Sequence, residues 1–355
     1  MKNRSLGLLA GLAAAAVALA VWVSFAPGDN AGPGQTGEAL FPGLADSLPA
    51  VESIALSGPQ GQATLSLRLG QWVVEERFGY RADRGQIRSL LSGLVRARRL
   101  EPKTAEDARL ESIGLGEDAV SLVLTGTEGR VVAALRIGRA RVPAAGESRK
   151  TFVWAEGDQR SWLVSSLPAL TTSPILWLDK EIISLSNVRM SGVTITRADG
   201  DVLSLSGQAN NVAALVVAGQ SADEALAGGP ANQTLTALSS LQFDDVAPPS
   251  EIEGEAVASA RYITFDGLVV EVRVRAAASG GNWATFRAEY DAEAALREEN
   301  PSQMPDAPAD GAAEAAALNA GWAGWIFQLS RTDAEALTRS RSDVVIVALK
   351  EDESN

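Results

Sequence analysis

Between Thr64 and Pro102 the chain changes period. Leu65, Leu67 and Leu69 alternate with polar residues, so they share one face of a half-buried strand. Gly70-Gln71 supplies a tight turn, and Trp72-Val73-Val74 begins the return strand. Ile87, Leu90, Leu91, Leu94 and Val95 then fall at i, i+3, i+4, i+7 and i+8, which predicts an amphipathic helix over Asp83 to Arg99. Its stripe places Leu90, Leu91 and Leu94 against a sheet. Asp83 stands where an N-cap is needed, with Gln86 at the reciprocal capping-box position. Arg96, Arg98 and Arg99 crowd the last turn, where the helix dipole favours cations and the charges point to water. Pro102 stops the helix.

The same succession returns in weaker form. In the first copy Val51 to Leu56 pairs with Leu65 to Leu69. Val120 to Leu124 and Val131 to Ile137 form a hairpin, and Thr151 to Trp154 and Trp162 to Val164 form another around Gly157-Asp158. In the second copy Val193 to Ile195 and Val202 to Leu205 answer the first strand pair. Leu238-Ser239-Ser240-Leu241 answers Leu91-Ser92-Gly93-Leu94, within a helix over Asn232 to Gln242. Tyr262 to Phe265 with Leu268 to Val274, then Trp283 to Tyr290 with Trp325 to Leu329, answer the two hairpins. The pattern predicts an α+β fold of two duplicated units, mainly antiparallel sheet with packed helices, over 51–186 and 187–350. The second unit carries an insertion over 291–320, an alanine-rich helix with a mobile proline-rich loop.

Ahead of these units, Lys2 and Arg4 precede Leu6 to Phe25, about twenty uncharged and mostly apolar residues, enough to cross a bilayer. Bulky Phe25, and Pro27 after Ala26, favour an uncleaved signal anchor over 1–26 against a cleaved signal peptide. Basic residues only on the N-terminal flank put the N-terminus in the cytoplasm and the bulk in the periplasm. The expected address is the inner membrane, with a single pass through residues 6–25. Residues 27–50, rich in Gly and Pro, read as a flexible linker.

Composition narrows the chemistry. The 355 residues include neither Cys nor His, which excludes thiol catalysis, a Ser-His-Asp triad and a structural zinc site. A net charge of −13 argues against nucleic acid as a partner. Against that balance, Arg77 to Lys150 holds 15 basic and 9 acidic residues, a basic face suited to anionic lipid or an acidic protein. Its candidate partner surface is Arg96, Arg98, Arg99 and Lys103. Trp322 and Trp325, flanked by Gly321 and Gly324, are candidate exposed aromatics for a glycan or peptide. Asp244, Asp245, Glu251, Glu253 and Glu255 are the carboxylates available for acid–base work, and they read as a solvated, proline-rich loop. No phosphate-binding loop or calcium loop is present, and no catalytic, cofactor or metal residue is assigned.

Several of these segments recur together. The order is Trp72, the helix Ile87 to Leu100, Ile113-Gly114-Leu115, Leu135-Arg136-Ile137-Gly138, Phe152-Val153-Trp154 and Leu178-Asp179-Lys180. In this order the chain resembles an uncharacterised bacterial family, the domain of unknown function 4340, over about Val51 to Leu205 and more loosely beyond. The resemblance implies membrane anchoring and relatives that accompany ABC-type export systems of the gliding-motility kind; it supplies no catalytic residues. The expected function is a non-enzymatic, membrane-anchored periplasmic accessory or scaffold protein of a transporter or envelope complex. A periplasmic glycan- or peptide-binding module and a carboxylate-based hydrolase are the alternatives. A tryptophan-lined concavity favours the first of these and two facing carboxylates the second, while a flat apolar or basic surface favours a protein partner.

Overall fold

The computed structural model describes residues 35–141, 149–165, 167–207, 211, 214–297, 308 and 310–347. The expected anchor over 6–25 lies outside that set, as does the insertion's loop over 298–307. No described helix is long and apolar enough to cross a membrane. Antiparallel sheet dominates, with seven α-helices among the described residues, so the chain is α+β. It divides after Asp179 into two compact units.

In the first unit α1 (Leu44–Ser47) leads into β1 (Val51–Gly58), β2 (Gly61–Arg68), β3 (Gln71–Val74) and β4 (Tyr80–Arg81). Then come α2 (Arg84–Arg96), β5 (Arg99–Pro102), α3 (Asp107–Leu110), β6 (Val120–Gly126), β7 (Val131–Arg141), β8 (Lys150–Ala155) and β9 (Trp162–Ser165). The strands form one sheet in the order β4-β3-β2-β1-β6-β7-β8-β9-β5. The chain therefore leaves one edge at β4 and returns through α2 to the opposite edge at β5. Ile54 pairs with Leu65, and Leu65 with Val74, the register that the alternating leucines require. Ile54 to Leu56, Leu122 to Leu124 and Trp162 to Val164 are each buried without interruption, so these strands are covered on both faces.

Helix α2 buries Ile87, Leu90 and Leu94, whereas Leu91, at the margin of that stripe, is half-buried. Asp83 caps it, its Oδ1 accepting from the N–H groups of Gly85 (2.7 Å) and Gln86 (3.1 Å). The reciprocal half of the capping box is not made. The Asp83 N–H donates to Trp177 O, and the Gln86 amide donates to Leu176 O. The helix ends at Arg96 rather than Arg99, because Ala97 turns extended and the next residues join a β-pairing. Arg98 bridges Ala39, the Arg99 N–H donates to Glu38 O, and the Gly37 and Leu40 N–H groups donate to Arg99 O and Ala97 O. Leu40 and Leu44 are buried by this docking. The expected flexible linker thus does not extend past Gly37, since residues 37–50 belong to the first unit.

The second unit contains β10 (Glu181–Ile183), β11 (Met190–Arg197), β12 (Val202–Ser206), β13 (Val216–Val217), β14 (Glu224–Leu226), α4 (Gly228–Leu235) and β15 (Leu241–Ala247). These precede β16 (Gly254–Thr264), β17 (Leu268–Ala277), β18 (Asn282–Tyr290), α5 (Ala292–Arg297), α6 (Gly311–Trp322), β19 (Ile326–Leu329), α7 (Arg331–Leu337) and β20 (Val345–Val347). The main sheet runs β10-β15-β19-β18-β17-β16-β11-β12-β13, and β14 pairs separately with β20. Read from β3 the first sheet is β3-β2-β1-β6-β7-β8-β9-β5; read from β13 the second is β13-β12-β11-β16-β17-β18-β19-β15. Position by position, this is the same chain order across eight strands. Strand β10 pairs with β15, which moves the unit boundary from 186 back to Asp179. Helix α4 stops at Leu235, short of Gln242, because Leu241 already opens β15.

The insertion's helix α6 packs on β18 through polar anchors. The Asn319 amide pairs with both the N–H (2.9 Å) and the C=O (2.7 Å) of Ala288, as a neighbouring strand would. The Trp322 indole donates to Ile182 O at 2.9 Å. Arg189, 3% exposed, forks onto two carboxylates: Nη1 and Nη2 each reach a Glu314 oxygen at 2.7 Å, and Nε and Nη2 face Asp266. Burial works to lower the Arg189 pKa, but the hydrogen bonds it donates to Glu314 and Asp266 outweigh that and raise it, so the guanidinium stays charged.

The small β14–β20 ribbon carries an acid-sensitive clasp. Arg341 grips Glu224 in a fork (2.9 and 2.8 Å), and with the Ser221 N–H it holds the Glu224 carboxyl down to about 2. A carboxyl depressed in the folded state stabilises it above the ordinary value of 4.5, and that contribution fades as pH falls towards 2. Amide exchange in Val345–Val347 is expected to quicken over that window while β16 and β17 stay protected. Arg341→Gln is expected to weaken the pH dependence, leaving only the share due to the Ser221 N–H.

Candidate functional site

The leucine stripe of β2 runs out of the core towards the β2–β3 turn. Leu65 and its partner Val74 are fully buried, Leu67 and its partner Trp72 are partly exposed, and Leu69 is fully exposed. Leu69 has φ 49° and Phe78, more than half exposed, has φ 57°. A left-handed backbone is unfavourable for bulky side chains, and such strain concentrates at functional sites. Gly79, beside Phe78, abuts the guanidinium of Arg68, which is itself paired with Glu75. The Pro174–Trp177 turn, which carries exposed Leu176, also lies against β2 and the Glu75–Arg77 turn. Four of the five large apolar side chains exposed among the described residues of the first unit, Leu67, Leu69, Phe78 and Leu176, lie on or beside the β2–β3 hairpin, Leu69 at its turn and Phe78 past the opposite end of β3. The fifth is Val131.

A cleft of about 410 Å³ opens on the turn side of the hairpin, between Gln71-Trp72 of β3 and the residues Arg81 to Gly85 that lead into α2, with Asp179 on its wall. Its two carboxylates have structural partners. Asp83 caps the helix, and Asp179 accepts from Arg81 Nε at 2.9 Å. Arg84, also on the wall, is exposed.

Arg84 begins a ridge along the exposed side of α2, continued at four-residue steps by Arg88, Ser92 and Arg96. Arg84 occupies the first helical position, and the first turn holds no acidic residue. Cations there oppose the helix dipole, and like charges four residues apart repel, each at a cost of a few tenths of a kcal/mol. The ridge spans about 18 Å from Arg84 to Arg96 at 1.5 Å per residue.

Among the residues singled out from the sequence, Arg96 and Arg98 are exposed, and Lys103 is half-exposed and paired with Glu101 at 2.6 Å. Arg99 is not a surface residue. It is 6% exposed, forks onto Asp158 at 2.7 and 2.9 Å, donates to Ala39 O and lies 5.7 Å from the Trp162 ring. As a strand residue it points opposite to the way a last helical turn would direct it. Trp322 is likewise buried, at 4% exposure, under α6, and Trp325 is half-buried, so the two do not form an exposed aromatic pair. Asp244 and Asp245 lie on β15 and Glu255 on β16, rather than in one loop. Arg84 and Arg88 were missed; their four-residue spacing is the signal that marks them.

The recurring segments Ile113-Gly114-Leu115 and Leu135-Arg136-Ile137-Gly138 prove to be one clasp. A Cβ on Gly138 would stand 2.4 Å from Ile113 O, so only glycine lets the two backbones touch. Arg136 closes the contact by donating to Leu115 O and Gly116 O. The family described as a domain of unknown function (DUF4340) matches residues 72–259, which reaches well past Leu205 to β16 in the second unit. No curated protein and no solved structure matches the chain.

Proposed function

The chain belongs to that family of unknown function, and we propose that it is a non-enzymatic docking module of an envelope complex, held to the membrane by residues 6–25 and built from two duplicated units. The common order of eight strands supports the duplication, and the apolar run Leu6 to Phe25 supports the anchor and a periplasmic body. The observation that carries docking is the β2–β3 hairpin of the first unit, where exposed Leu69 at the turn and Phe78 past the far end of β3 sit on left-handed backbone, and where the turn side shares a cleft with Arg84 at the start of the ridge. Apolar anchors rimmed by guanidinium groups fit an acidic protein segment with its own apolar side chains. An ABC-type export system is the partner in this reading. The Trp72 wall of the cleft favours a second reading, capture of a glycan or a free peptide, in which the ridge takes no part.

The two separate on Arg84→Glu combined with Arg88→Glu. The acids suit the N-terminal half of the helix, so stability is expected to hold or rise by up to about 1 kcal/mol, read as an unchanged or higher melting temperature. Recovery of the protein partner from membranes in mild detergent is expected to be lost. Unchanged recovery by the folded variant would overturn the docking reading.

A further inference from the structure

A second cavity in the first unit, of about 160 Å³, shares no residue with the Trp72 cleft. We propose that it binds a small oxyanion of the phosphate class. Thr151 of β8 stands on its wall, 3% exposed, and among the described residues its hydroxyl has no hydrogen-bond partner. Interiors rarely leave a buried hydroxyl unpaired, because the group has given up water for nothing. Arg139 and Arg149 share the wall and, among the described residues, neither has an ion-pair partner. Among the described residues Asp118 is the one carboxylate on the wall, and the two guanidinium groups outnumber it.

The backbone is shaped for this arrangement. Strand β7 carries one extra residue against β8 between Ile137 and Ala140, a bulge at Gly138-Arg139. Bulges re-aim side chains at functional sites. Gly114, at φ 76°, lies against the Arg139 backbone, where a Cβ would meet Arg139 N at 2.9 Å, and this fixes the bulge from outside the sheet. Guanidinium groups bind phosphate oxygens through paired N–H donors, and a threonine hydroxyl adds a donor beneath. Val120, Ile137 and Leu170 supply apolar walls that strengthen the charge interaction. The volume is below the roughly 300–1,000 Å³ of organic-ligand pockets, which fits an ion or a terminal phosphate rather than a sugar chain.

The test is calorimetric titration of the full chain in non-ionic detergent with inorganic phosphate, at constant ionic strength set by chloride. One saturable site is expected. Arg139→Gln with Arg149→Gln is expected to weaken it by about tenfold or more. Thr151→Val tells a ligand-binding hydroxyl from an inert core one, because both roles leave the fold intact but only the first loses affinity, again by about tenfold. A parallel titration with soluble short-chain phosphatidylglycerol separates sources: saturation there assigns a lipid headgroup, saturation by phosphate alone assigns the free ion, and either sustains the site. No saturable binding of either probe, or binding that all three substitutions leave unchanged, would overturn the proposal.

Discussion

Arg189→Ala is expected to cost the second unit about 3–5 kcal/mol, because it strands two carboxylates that share one buried guanidinium. The Arg189 side chain is 4% exposed, with Asp266 at 15% and Glu314 at 19%, so solvent replaces little of the lost charge. Against a domain stability of roughly 5–15 kcal/mol the loss is large. It falls first on α6, which Glu314 ties to the unit and whose alanine-rich surface offers no apolar stripe as a substitute. Hydrogen exchange is expected to show Gly311–Trp322 deprotected well before β16 and β17. Adding Asp266→Asn and Glu314→Gln to the variant is expected to restore much of the stability, since the residual penalty is one of charge. A loss below about 1 kcal/mol for Arg189→Ala would contradict this account of how the insertion is held.

Leu94→Ala is expected to cost the first unit about 2–5 kcal/mol, the transfer of a buried side chain plus the cavity left behind. Leu94 is fully buried on α2, the segment that carries the chain from one edge of the sheet to the other. Leu91→Ala, at the half-buried margin, is expected to cost less than half as much. Chemical unfolding of the two variants side by side checks the ranking, and equal losses would contradict the assigned face.

Local period made the fold legible. The alternating leucines gave the β2–β3 register, the i, i+3, i+4 stripe placed α2, and Asp83 was readable as a cap because the N–H donors it accepts from lie two and three residues away. The repeated succession of hairpins anticipated a strand order common to both units. What escaped the sequence depends on distant partners. Arg99 looked like a helix-end cation because Asp158, which buries it, lies 59 residues downstream. Trp322 looked exposed because its acceptor, Ile182 O, lies 140 residues upstream. The proposed docking surface was half visible. The basic excess of Arg77 to Lys150 was plain, but it drew attention to Arg96, Arg98 and Arg99 at the far end of α2. The strain at Leu69 and Phe78 is a backbone property that no pattern of residue types announces.

Photo-crosslinking tests the docking claim most directly. A benzophenone side chain placed in the full chain at Leu69, at Phe78 and, as a control in the second unit whose exposure matches that of Phe78, at Val216 reports what each surface touches in intact membranes. The account predicts one protein adduct common to positions 69 and 78, absent at 216, and abolished when Arg84→Glu and Arg88→Glu are added. Adducts at 216 equal to those at 69, or an adduct at 69 that survives the charge reversal, would contradict it.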